Sequence, residues 1–279
     1  MDLELDTRQR AMMLEMGVHV WLPEVGLTVD SATEVSVPVG GARQTTVPAA
    51  EPNRAVTPAG TRAARDAAAV ALKAALGEPL ALQALDWSTL AEVAASCQAC
   101  GLCTGRKHTT LCDPGQTLQA DWMVVGDPPD EDEDRLGQPF AEQPGVLMDA
   151  MLKAVGASRS GQARQGAYLT NVVKCRPPVG RVPQAADLAQ CAQFLQREIA
   201  LVRPQVILAV GRFATQLLLQ EHPEQAALPL GKQRGTVYRY QGIPVVVSYH
   251  PKVLLRASAD KAKAWADLCL ALDLLEASS

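Results

Sequence analysis

A chain of 279 residues, 48% hydrophobic and 20% charged, can bury one large core or two smaller ones. Its formal net charge of −4 excludes coating nucleic acid by bulk charge, so any such contact must come from a local basic patch. No apolar run reaches the length of a membrane span and no basic-then-apolar leader opens the chain, so a cytoplasmic protein without membrane contact is expected.

Residues 1–30 read as a small helical docking segment. Leu3, Leu5, Ala11, Met12 and Met16 suit a short helix that Gly17 would stop, and Val18 to Pro23 suit a brief extended piece. So much apolar surface on so short a segment suits docking, either on the main body or on a protein partner. Residues 31–65 are rich in Ala, Thr and Pro, with Pro38, Pro48, Pro52 and Pro58 scattered through them, and read as a flexible linker.

The main domain is expected over 66–279. An Ala-rich helix spans Asp66 to Leu76, and a second runs from Leu80 to Ala95 with Ser88 as its cap. A strand at Trp122 to Gly126 precedes a helical repeat from Val146 to Val155, and a strand at Tyr168 to Val173 precedes a long amphipathic helix from Asp187 to Val202. The strand Pro204 to Gly211 leads into a helix from Phe213 to Leu219. Val237 to Tyr240 and Pro244 to Ser248 read as strands, and Lys261 to Leu275 as a closing helix. Strands alternating with helices imply an α/β fold with a largely parallel sheet covered on both faces.

Chemistry concentrates in Thr170-Asn171-Val172-Val173-Lys174-Cys175-Arg176-Pro177-Pro178. The proline pair must end the strand, which leaves Asn171 and Cys175 near its carboxyl end, where open α/β sheets usually hold their ligands. Seven Cys without a secretion signal read as thiols or metal ligands rather than disulfides. Cys97-x-x-Cys100 forms one pair, followed closely by Cys103 and Cys112. Cys175 and Cys191 form another, and the helix carrying Cys191 could swing its thiol back toward Cys175. Four thiolates from two loops suit either tetrahedral zinc or a [4Fe–4S] cluster. Cys103 and Cys112 are either alternative ligands or free thiols, and Cys269 reads as plain core.

The motifs also occur in a recognisable order. Cys97-x-x-Cys100-Gly101-Leu102 and Arg106 come first, then Val125-Gly126-Asp127-Pro128-Pro129-Asp130, Glu133-Asp134 and Gly137-Gln138-Pro139-Phe140. Thr170 to Pro178 with Arg181 and Pro183, Cys191, Tyr249-His250-Pro251 and Leu254-Leu255-Arg256 complete the series. With these, the chain from about Cys97 to Leu270 resembles the family 4 uracil-DNA glycosylases, the iron–sulfur branch of that superfamily. The resemblance implies a three-layer sandwich around a mostly parallel four-stranded sheet, with the site at the strands' carboxyl ends. It implies a [4Fe–4S] cluster held by Cys97, Cys100, Cys175 and Cys191, and a DNA repair enzyme that excises uracil from DNA by hydrolysing the N-glycosidic bond of a flipped-out nucleotide.

Roles follow from the same resemblance. Asn171 would read the uracil edge with one donor and one acceptor, and Phe140 would stack on the base, with Gly126 and Pro129 beside it. His250 would donate a hydrogen bond to the departing uracil oxygen, and Asp127 would position a water. Lys174, Arg176, Arg181, Lys252 and Arg256 would face the DNA backbone. The first motif departs from the family's Gly-Glu-Ala-Pro-Gly: Asp127 stands for Glu, Pro128 for an alanine-type residue and Asp130 for Gly, and Glu142 and Pro144 depart after Phe140. By themselves, Asp130 to Asp134 read as a solvated acidic turn, and Gly211 as an ordinary strand-to-helix turn. The competing expectation is a cluster-bearing, catalytically weak relative that binds nucleic acid or a protein partner.

Overall fold

The computed structural model describes residues 82–111, 114 and 119–277. The docking segment at 1–30, the linker at 31–65, the helix expected from Asp66 to Leu76 and the Cys112 thiol all lie outside the described residues.

Helix α1 (Trp87–Ser96) is separated from a single 3-10 turn at Leu82–Ala84, so the helix expected to begin at Leu80 is broken. Its N-cap is Asp86, not Ser88: the Asp86 side chain accepts the Thr89 N–H at 2.9 Å, and a carboxylate suits the positive end of a helix. The chain then runs through β1 (Ala120–Gly126), α2 (Glu131–Leu136), α3 (Glu142–Ala154), β2 (Ala163–Asn171), α4 (Ala185–Val202), β3 (Val206–Val210) and α5 (Arg212–Leu218). Two single-turn helices, α6 (Pro223–Ala226) and α7 (Leu230–Gln233), lead to β4 (Val237–Tyr240) and β5 (Ile243–Ser248). The short α8 (Pro251–Arg256) and the long α9 (Lys261–Ala277) close the chain. No described helix is long and apolar enough to cross a membrane.

The sheet has the order β2-β1-β3-β5-β4. Its first four strands are parallel, while β4 pairs antiparallel with β5. The four-stranded sheet implied by the family resemblance therefore gains a fifth, edge strand. The hairpin that adds it turns on Gln241 and Gly242, with φ of 50° and 83°, the paired positive φ that a two-residue turn needs to match strand twist.

Period-two alternation sorts the strands' side chains between two cores. Met123, Val125, Ile207, Ala209, Val245 and Val247 face one way and pack with Leu90 of α1, Leu195 and Ile199 of α4 and Leu218 of α5. Trp122, Val124, Leu208, Val210 and Val246 face the other way, against Met148 and Met151 of α3 and Trp265 and Leu268 of α9. With helices on both faces, every residue of β3 is buried, as its unbroken apolar run requires.

This topology places the site. From β1 the chain moves to β2 on one side and later to β3 on the other, so the carboxyl ends of β1 and β3 flank a switch point, where open sheets form a crevice. Register aligns Gly126 with both Asn171 and Val210, and Val210 with Ser248. The loops that begin at Asp127, Val172, Gly211 and Tyr249 thus leave one edge of the sheet side by side.

Candidate active site

A cleft of about 340 Å³ opens at this edge, lined among others by Asp127, Pro129, Arg181, Phe213, His250 and Lys252. Asn171 and Phe140 do not line it; they are buried beneath it.

The acidic run after Pro129 is not a solvated turn. Asp130 caps α2, accepting the N–H groups of Asp132 and Glu133 at 3.0 and 2.9 Å, while Glu133 Oε2 accepts the Asp130 N–H at 3.0 Å. This reciprocal capping box gives Asp130 a structural role at its departure from the family pattern. Its φ of −91° needs no glycine. Glu133 and Asp134 are both buried. Glu133 Oε1 accepts the Phe140 N–H at 2.7 Å and the Asn171 side-chain N–H at 3.1 Å. Its Oε2 accepts the Lys252 ammonium at 2.9 Å, and Asp134 accepts the Lys107 N–H at 3.0 Å.

Phe140 sits at φ 52°, a left-handed conformation that costs a non-glycine residue on the order of 1–3 kcal/mol. Glu133 on its N–H and the Arg159 guanidinium on its carbonyl at 3.0 Å hold it there. The ring lies parallel to His250, with centroids 5.4 Å apart. Gly126 makes room for it, since a Cβ at that position would stand 2.6 Å from Phe140 Cζ.

His250 caps α8, its Nδ1 accepting the Lys252 N–H at 3.2 Å. The ring proton therefore belongs on Nε2. Burial, assisted by the Lys252 charge, pushes the imidazole pKa down to about 3, so the ring is neutral at physiological pH. Asn171 donates both side-chain hydrogens, to the Asp127 carbonyl at 2.9 Å and to Glu133. That leaves Asn171 Oδ1 and His250 Nε2 buried without a hydrogen-bond partner among the described residues. An unpaired acceptor buried beneath the cleft and an unpaired donor on a residue of its wall are costly unless a ligand completes them. Asn171 thus offers an acceptor only, not the donor and acceptor expected.

Asp127 departs from its expected role. Its Oδ1 accepts the N–H groups of Phe213 and Ala214 at 2.7 and 3.4 Å, and its Oδ2 that of Arg212 at 3.3 Å, so the carboxylate anchors the start of α5. Burial raises its pKa more than these N–H groups lower it. Gly211, at φ 105°, is what admits the carboxylate: a Cβ there would lie 2.2 Å from Asp127 Oδ2. Gly211 is therefore part of the site's framework.

The expected DNA-facing cations divide. Lys174 is 2% exposed and ion-paired to Glu198 at 2.5 Å, so it cannot meet a phosphate. Lys252 bridges Asp130 at 2.7 Å and Glu133 at 2.9 Å. Burial works against its charge, but these two carboxylates outweigh that and hold its pKa above the usual lysine range; its charge is already matched. Arg176 pairs with Glu131 and Arg181 with Asp187, while Arg256 is exposed on α8.

On the far side of Lys174, Cys97, Cys100, Cys103, Cys175 and Cys191 line one hollow. Helix α4 does bring Cys191 back toward Cys175, as the spacing suggested. All of these thiols are free. The Arg106 guanidinium donates to Cys175 Sγ at 3.1 Å and to the Cys97 carbonyl at 3.2 Å, and the Lys174 N–H donates to Cys191 Sγ at 3.3 Å. Such donors suit thiolate acceptors. Burial pushes the pKa of the Cys100 and Cys175 thiols up, and that of Cys191 to about 12, so a bound cation would have to supply the charge that ionises them. Among the described residues, the side chains as they stand do not gather three His, Cys, Asp or Glu around one ion position, although five thiols share this lining.

Residues 113–269 match the family model described as the uracil DNA glycosylase superfamily. The chain is similar to the type-4 uracil-DNA glycosylase of Archaeoglobus fulgidus, 31% identical over 172 residues, which cover 60% of this chain and 83% of that protein. It is similar to that of Pyrobaculum aerophilum, 32% identical over 191 residues, covering 67% of this chain and 93% of the relative. The type-4 enzyme of Thermotoga maritima is 33% identical over 161 residues, covering 57% and 78% of the two chains.

Proposed function

The chain belongs to the uracil DNA glycosylase superfamily, as an enzyme of its type-4 branch, and from that premise we propose that it hydrolyses the N-glycosidic bond of a deoxyuridine flipped out of DNA into the cleft beside His250. The observation that carries this reading is the buried pair of unpartnered polar atoms, the acceptor Asn171 Oδ1 and the donor His250 Nε2–H. Uracil presents the complement, an N3–H next to the O2 carbonyl.

The chemistry follows from that pairing. Flipping costs a few kcal/mol of stacking and pairing. As the C1′–N1 bond breaks, its electron pair moves onto the base and spreads to O2, and the sugar becomes an oxocarbenium-like cation. A donor fixed at O2 in a buried site stabilises that charge as it develops. A water oxygen then bonds to C1′, and the water's proton ends on the uracil or in solvent, giving free uracil and an abasic site. His250 keeps its own Nε2 proton throughout, and Phe140 fixes the plane of the imidazole by stacking on it. The enzyme would do this repair work in the cytoplasm.

Cys97, Cys100, Cys175 and Cys191 would hold a [4Fe–4S] cluster, whose contribution would be a covalent cross-link joining the loop after α1 to the turn after β2 and to α4 itself. Support comes from the five thiols gathered on one lining and from the N–H donors aimed at Cys175 and Cys191. Broad absorbance at about 400 nm with matching iron and sulfide would sustain this assignment. Colourless protein with stoichiometric zinc would replace it.

The activity test is a labelled oligonucleotide carrying one uracil, incubated with cluster-loaded protein and then treated with alkali. Scission at the uracil is expected. No scission on single- or double-stranded substrate, with the cluster intact, would leave a nucleic-acid- or protein-binding module instead. The anchoring geometry of Asp127 adds a second expectation. Asp127→Asn should keep excision within about tenfold of the parent, because the amide oxygen still accepts the Phe213 and Ala214 N–H groups and only the longer bond from Arg212 is lost. Asp127→Ala should cost about 0.5–2 kcal/mol of stability in urea melts, as for other lost helix caps. A loss beyond a hundredfold with asparagine would assign the carboxylate to the attacking water.

A further inference from the structure

We propose that Glu133 is a positioning residue that sets the base specificity of this cleft: its carboxylate locks the Asn171 amide so that only Oδ1 can face the base. The inference rests on the uracil-excision reading and adds to it a residue to which the motif comparison gave no role.

Two N–H groups leave the Asn171 amide, one to the Asp127 carbonyl at 2.9 Å and one to Glu133 Oε1 at 3.1 Å. Both partners only accept. Turning the amide over would set Oδ1 against a carbonyl and a carboxylate together, so the orientation is fixed by two repulsions as well as two hydrogen bonds. Glu133 is itself held. Phe140 N–H and the Asn171 amide meet Oε1, while Asp130 N–H and the Lys252 ammonium meet Oε2. It is buried, so no water competes for these donors. One side chain thereby links the α2 cap, the strained Phe140 backbone, the His250 helix through Lys252, and the base-reading amide.

The consequence is chemical. A locked acceptor favours a base that carries a hydrogen at N3, as uracil does, and repels cytosine, whose N3 is a lone pair. A polar site left unpaired by the wrong base discriminates far more strongly than an apolar one. Glutamine at position 133 would offer an acceptor to one pair of donors and an NH2 to the other. Where the NH2 meets Asn171, the amide turns and shows the base a donor instead.

The test compares Glu133→Gln, Asn171→Ala and the double variant in single-turnover assays on uracil- and cytosine-containing strands. Glu133→Gln is expected to lower uracil excision about 10–100-fold and to narrow the uracil-to-cytosine ratio at least about tenfold. The ratio is measured on one preparation, so a partly unfolded sample does not change it. In the Asn171→Ala background the same substitution should cost about twofold or less, since a residue acting through Asn171 has nothing left to act on. An unchanged ratio, or an equal loss in both backgrounds, would overturn the assignment while leaving the glycosylase reading in place. Absence of uracil excision by the unmodified protein would remove both.

Discussion

Replacing His250 with alanine is expected to lower single-turnover uracil excision by about 10²–10³-fold, the usual cost of losing one donor to a developing oxyanion. The expectation rests on where the proton must be. With Nδ1 occupied by the Lys252 N–H, Nε2 carries the hydrogen, and it is buried with nothing to accept it. Alanine removes that donor and leaves Phe140 without the ring it stacks on. His250→Gln, which returns a donor of similar reach, should recover part of the loss. The pH dependence separates this from a titrating histidine. A ring whose pKa falls from 6.5 to about 3 stays neutral, so the rate should show no step near 6.5 between roughly pH 5 and 8. The sign for stability follows from the same depression. The contribution is present in full above 6.5 and is lost as pH falls toward 3, because the unfolded chain takes up a proton that the buried ring refuses. A rate step at pH 6.5 that disappears in His250→Gln would show that the imidazole titrates in water, outside the setting described.

Much of the framework is legible in the chain because it depends on local pattern. The apolar run Val206–Val210 can only be a strand buried on both faces, and the strand that carries Asn171 is legible too, although it ends at Asn171 itself, ahead of Val172, Val173 and the proline pair that the pattern makes its stop. The order of the motifs points to His250, Asn171 and Phe140 even though each, taken singly, has a bland explanation. What the pattern hides is pairing across long separations. Lys174 looks like a cation for phosphate until α4 delivers Glu198 beside it, and nothing near position 174 announces that partner. Asp127 looks free to hold a water until β3 ends at Gly211 and presents the amides of α5. Glu133 had a local signal that could have found it: Asp130-x-x-Glu133 is a capping-box spacing, which turns an acidic run into a helix start. Its second duty, toward Asn171 and Lys252, depends on neighbouring strand ends and has no trace in local sequence.

Glu198→Ala is expected to destabilise the fold by about 3–5 kcal/mol, the range for leaving one member of a buried ion pair alone. Glu198 is 0% exposed. Its Oε2 meets the Lys174 ammonium at 2.5 Å, and its Oε1 accepts the hydroxyls of Tyr168 and Thr170 at 2.8 and 2.9 Å. The ammonium also donates to Thr170 Oγ1 and to the Asn171 carbonyl at 2.6 and 2.7 Å. Alanine would leave a cation and two hydroxyls in the core without their acceptor. The same loss should reach function, because Lys174 stands between the two sites. Its ammonium holds the main chain of Asn171, its N–H meets Cys191, and the next residue is Cys175. Urea melts at fixed iron content test the first effect, and a loss below about 1 kcal/mol would show the pair to be hydrated rather than buried. Lys174→Met with Glu198→Leu separates stability from positioning. An apolar pair of similar volume should restore most of the stability, yet the Asn171 carbonyl would still lack its donor. Recovered folding with excision still reduced would show that the ion pair serves the placement of Asn171, and full recovery of both would show that it serves the core alone.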